Sequence, residues 1–155
     1  MNGPAQVARL VQRLDATFAR VSTVSEDPEI QSDFAKYLCV LVSGFLEYSV
    51  RELVQEHARQ QSSPSVQRFV EASTRRFTNA NSEKLRQLLG KFDPDWGVSI
   101  EVFLVDERKE AVDSVVALKN NIAHGRSVGI TYIRIKEYYE IIKRVVDEIK
   151  RLCVR

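Results

Sequence analysis

The chain has 155 residues, enough to bury a core without metal or disulfide staples. Its 44% hydrophobic and 28% charged residues are an ordinary globular balance, and six glycines with four prolines argue against a loop-rich, many-turned fold. A net charge of +2 excludes a strongly basic nucleic-acid binder but leaves RNA open, because local clusters matter more than the sum.

In chain order, Val7, Leu10, Val11, Leu14, Phe18 and Val21 recur at helical spacing and predict a first helix from about Pro4 to Val21. A longer helix is expected from about Ile30 to Gln60, with Phe34, Leu38, Leu41, Val42, Phe45, Ser49 and Leu53 on one stripe. Pro64 suits the start of a short third helix carrying Val66, Phe69, Val70 and Phe77. Asn79 to Ser82 should break it. Asn81 or Ser82 would cap a fourth short helix bearing Leu85, Leu88 and Leu89. The stretch from Gly90 to Gly97, with Asp93-Pro94-Asp95-Trp96, reads as a turn or loop in which Trp96 lies as a lid over the core. Val98 to Val105 has strand-like composition, but no partner strand is evident, so a loop running into a helix is preferred. Val112, Val115, Leu118 and Ile122 predict a helix ending near His124-Gly125. A last helix, with Thr131 as its N-cap, should carry Ile135, Tyr138, Tyr139, Ile142, Val145, Val146, Ile149 and Leu152. The sum is an all-α helical bundle of two long helices, short middle helices and a late helix pair, read as a single domain over residues 1–155.

Cys39 and Cys153 both lie in apolar helical runs and read as reduced core residues. No apolar stretch is long enough to span a bilayer, and Met1-Asn2-Gly3-Pro4 does not open a signal peptide. Cytoplasm is therefore the expected compartment. No zinc-ligand spacing, glycine-rich phosphate loop or nucleotide fingerprint is present, so no metal or cofactor is expected.

Only two histidines narrow the search for chemistry. His57, among Glu56, Arg59 and Gln60, reads as a surface residue. His124 closes Lys119-Asn120-Asn121-Ile122-Ala123-His124-Gly125-Arg126, where an apolar-striped helix ends in polar residues. Asn120 and His124 are four apart and share a face, so the amide could orient the imidazole. The same residues also suit a plain helix end, with cations near the negative pole of the macrodipole and Gly125 in a left-handed C′ position. Tyr138 and Tyr139 could stack on unpaired bases, but their place in the apolar stripe favours core or dimer contacts. Arg75, Arg76, Lys84 and Arg86 read as solvated helix faces.

The segment Leu118-Lys119-Asn120-Asn121-Ile122-Ala123-His124-Gly125 resembles the Arg-Asn-x-x-x-His signature of HEPN domains. Phe45-Leu46-Glu47-Tyr48, and Ile130-Thr131 leading into the Tyr138-Tyr139 helix, are similar to the RiboL-PSP-HEPN branch; the resemblance runs from about Phe34 to Ile149. It implies a helical bundle forming a two-fold homodimer, with two motifs facing one RNA-cleaving cleft. It also implies metal-independent cleavage by 2′-hydroxyl attack, in a toxin–antitoxin or antiviral defence setting, with an antitoxin or larger defence protein as partner. On that reading His124 is general base or acid, Lys119 neutralises the scissile phosphate, and Asn120 orients the histidine or the phosphate. Glu47 and Arg126 are supporting candidates. One departure stands out: Lys119 occupies the family's arginine position, exchanging a bidentate fork for a point charge. The alternative is therefore a catalytically silent HEPN-like module for dimerisation or partner binding.

Overall fold

Asn2 opens the first helix, α1 (Gly3–Val21), by accepting the Ala5 N–H on its Oδ1 at 2.9 Å. The computed structural model describes residues 2–154. Asp27 caps the long α2 (Pro28–Gln61) through the Glu29 N–H, and Pro28 starts it where a missing amide donor costs nothing. At about 1.5 Å per residue its 34 residues span about 51 Å, and α2 becomes the axis of the molecule. Then come α3 (Pro64–Thr74), α4 (Ser82–Phe92), α5 (Pro94–Phe103), α6 (Asp106–Ala123) and α7 (Tyr132–Cys153). Among the described residues there is no strand, and the all-α bundle expected from periodicity is what forms.

α2 packs against α1, α3, α6 and α7, while α4 and α5 pair with each other and meet α6 and α7 respectively. The core lies along α2, where Leu38, Val42, Phe45, Leu46 and Leu53 are essentially inaccessible, facing Ile135, Tyr139, Ile142 and Ile149 of α7. Burying each such large side chain contributes about 1.5–3 kcal/mol. Tyr139 acts as core, as its place in the stripe predicts. It stacks on Phe18 at 4.7 Å and meets Phe45 edge-on at 5.9 Å, while its hydroxyl donates to Asp15 Oδ1 at 2.7 Å. Cys39 and Cys153 are both free and buried, and burial pushes each thiol up to about 12.

The middle of the chain departs from expectation. Gly90 to Gly97 is not a loop. A single residue, Asp93, ends α4 with its N–H on the Leu89 carbonyl and caps α5 by accepting the Asp95 N–H. The two glycines serve a helix crossing instead: a Cβ on Gly97 would sit 3.0 Å from the Gly90 Cα. Val98 to Phe103 is accordingly helical, and only Leu104 and Val105 break the chain before α6. Trp96 is buried within α5, not in a loop, and stacks on Phe92. α3 ends at Thr74 and leaves Phe77 outside it, and its Val66 and Phe69 face solvent instead of the core. His57 is half-buried and engaged, not a free surface side chain: Nδ1 lies 3.0 Å from the Cys153 carbonyl, and Trp96 packs edge-on at 4.7 Å. The α4–α5 pair packs against it through Phe92 and Trp96, an arrangement invisible from the polar neighbours on its own helix.

Candidate active site

The last turn of α6 carries Lys119 and Asn120, and His124 follows it as the C-cap. The helix stops in a double-bonded left-handed cap. His124 N–H reaches the Asn120 carbonyl, Gly125 N–H the Ile122 carbonyl and Arg126 N–H the Asn121 carbonyl, with Gly125 at φ +69°. This is the C′-glycine end that the sequence suggests, and it satisfies carbonyls that would otherwise be orphaned. Its effect is to hold His124, the C-cap, exposed at the tip of α6.

The candidate side chains take different directions. A helix turns about 100° per residue, so Asn120 and His124 lie within about 40° of each other, while Lys119 is about 140° from His124. Among the described residues no hydrogen bond joins the Asn120 amide to the His124 ring. Asn120 instead lines an open cleft of about 420 Å³ with Asn81, Ser82, Arg86, Glu101 and Asp113, where α6 passes the N-terminus of α4. Two of its cations are already paired, Arg86 with Glu83 and Lys109 with Asp113. Arg126 turns to Asn121 Oδ1 at 3.2 Å.

Lys119 and Glu47 meet through a residue that sequence reasoning passed over. Glu47 Oε1 accepts the Asn79 N–H at 2.8 Å, and Lys119 Nζ donates to Asn79 Oδ1 at 3.5 Å. Asn79 sits in the α3–α4 connection with φ +54°, a left-handed conformation that asparagine tolerates better than most residues. The available signal was Thr78-Asn79-Ala80-Asn81, an asparagine-rich break of the kind that enters this region. Glu47, half-buried, is thus a structural anchor one step behind the lysine, and among the described residues no bond joins it to the histidine.

Chemically, the end of α6 offers an exposed imidazole, a half-buried amide and an ammonium held by a neutral acceptor. Such groups can move a proton and attract an anion. Among the described residues no group of three His, Cys, Asp or Glu side chains gathers in a way that could hold a metal ion. No described helix is long and apolar enough to cross a membrane. The RiboL-PSP-HEPN family model matches residues 7–155. Comparison with curated proteins and with solved structures finds no match.

Proposed function

The chain belongs to the RiboL-PSP-HEPN family, and on that premise we propose that it is a metal-independent endoribonuclease whose site is built around the end of α6. The observation that carries the reading is His124, exposed at the C-cap one turn after Asn120, in the register of the family signature.

In this reaction one catalytic group takes the proton from an RNA 2′-hydroxyl. The oxygen attacks the adjacent phosphorus, the P–O5′ bond breaks, and the departing O5′ receives a proton. The products are a 2′,3′-cyclic phosphate and a 5′-hydroxyl. His124 serves as base or acid, a role worth about 10²–10⁴-fold in rate. Lys119 stabilises the extra negative charge of the pentacoordinate phosphorane. Asn120, half-buried on the His124 side of the helix, contacts the sugar–phosphate backbone and does not set the imidazole tautomer, since no bond joins the two side chains. Within one chain Lys119 and His124 point about 140° apart. A second copy bringing another α6 end to the same cleft completes the set, so the active form is a homodimer. Its setting is a toxin–antitoxin or antiviral defence system, with an antitoxin or a larger defence protein as partner.

The test is cleavage of labelled RNA in EDTA by wild type, His124→Ala and Lys119→Arg. Wild type cuts, His124→Ala loses about 10²-fold or more, and Lys119→Arg gains as the guanidinium fork is restored. A second reading draws on Lys119 itself, a point charge where the family signature has an arginine fork: a silent HEPN-like module for dimerisation or partner binding. Absence of cutting by all three proteins would favour it.

A further inference from the structure

We propose that Asn79 is the positioning residue that holds the Lys119 ammonium for its work on the scissile phosphate. The inference rests on the ribonuclease reading for its reaction and on the α3–α4 connection for its geometry.

Connections between helices usually run over the surface and leave their backbone groups to water. This one is fastened by charged side chains from three helices. Arg51 donates to the Phe77 carbonyl at 2.9 Å and Lys84 to the Thr78 carbonyl at 3.0 Å. Glu47 accepts the Asn79 N–H, and Asp113 accepts the Ser82 N–H at 2.8 Å. The Asn81 N–H closes a tight turn onto the Asn79 carbonyl at 2.7 Å. At the centre of this clamp stands a non-glycine residue at φ +54°. Glycine would take that conformation with less strain, so what asparagine adds is its side chain. That side chain presents Oδ1 to Lys119 Nζ, and among the described residues no other acceptor bonds the ammonium.

The chemistry of the partner fits the task. A carboxylate beside Lys119 would neutralise the charge that a phosphate must find, whereas an amide oxygen orients the ammonium and leaves its charge intact. Glu47 is kept one step back, its carboxylate committed to the Asn79 backbone. Lysine is a flexible point charge on a four-carbon stem and, unlike arginine, has no rigid fork to orient itself. Asn79 supplies that orientation from outside.

The test uses the full chain and an RNA with one labelled cleavage site, in EDTA. Asn79→Gly keeps the left-handed backbone and the N–H for Glu47 while removing only the side chain, so thermal unfolding should change little. The expected result is a fall in kcat of about 10-fold or more, within the roughly 10²-fold cost of misplacing a reacting group, with KM nearly unchanged. In a Lys119→Arg background the same substitution should cost less than about 2-fold, because the fork orients itself. An unchanged kcat in the single variant, or an equal loss in both backgrounds, would overturn the proposal. The contact is read without activity from the Asn79 side-chain amide signals in NMR, which should move in Lys119→Met; unmoved signals also overturn it. Signals that move in Lys119→Met, together with a wild type that cuts no RNA, would sink the ribonuclease reading and leave the contact standing.

Discussion

Glu56 shows what a single side chain does for the packing of α1 on α2. Its carboxylate accepts the Gly3 N–H at 3.1 Å and two bonds from Arg59, at 3.0 and 2.7 Å. Burial pushes its pKa upward, but Arg59, the Gly3 amide and Gln60 outweigh burial and leave it below the usual carboxylate value. A lowered folded-state pKa means stability that is present above about pH 4.3, the unfolded value, and lost as pH falls through the folded value. Glu56→Gln should therefore cost on the order of 1 kcal/mol at pH 7, and the gap to wild type in urea unfolding should close below pH 4. A gap independent of pH would contradict this assignment. Tyr139→Phe should also destabilise, by about 1.5–3 kcal/mol, the usual worth of a hydrogen bond to a charged partner, here Asp15. At this scale the helix end that carries Lys119, Asn120 and His124 is legible in the sequence, because the apolar stripe stops there before a glycine. Asn79 is not, because its part depends on a backbone angle and on side chains 32 and 40 positions away.

At the scale of elements, the long helices α1, α2, α6 and α7 follow from apolar spacing, with ends fixed by Asn2, Asp27, Gly125 and Thr131. The α4–α5 pair does not. Gly90, Gly97 and Asp93-Pro94 carry the composition of a turn, yet only Asp93 turns, and the glycines let two helices approach. The two glycines should therefore respond oppositely to alanine. A Cβ on Gly90 would stand 3.9 Å from the Gly97 Cα, an ordinary contact, so Gly90→Ala should stabilise by about 0.5–1 kcal/mol through helix propensity. On Gly97 the same atom falls 3.0 Å from backbone, and overpacking of about 1–3 kcal/mol should exceed that gain. Thermal unfolding of the two variants decides this; a Gly97→Ala protein as stable as wild type, or a destabilised Gly90→Ala, would contradict it. The same pair explains His57, since Phe92 at the end of α4 and Trp96 in the first turn of α5 both pack on its ring.

For the whole molecule, the bundle brings α6 against the α3–α4 connection: Lys119 meets Asn79, Asn120 faces the cleft beside Asn81, and His124 is exposed at the tip of α6. On the proposed reading, the divergence of Lys119 and His124 around α6 is met by a cleft shared between two copies. Sedimentation at micromolar concentration should then give a dimer, and a monomer would count heavily against that mechanism. The fold follows from hydrophobic periodicity; a reaction does not, because periodicity says nothing of what meets the end of α6. The most direct test is the chemistry of the fragment ends. Wild-type protein incubated with RNA in EDTA should yield 2′,3′-cyclic phosphate and 5′-hydroxyl ends, and His124→Ala should leave the RNA intact. Fragments ending in 3′-hydroxyl and 5′-phosphate, or equal cutting by His124→Ala, would contradict 2′-hydroxyl attack at this site.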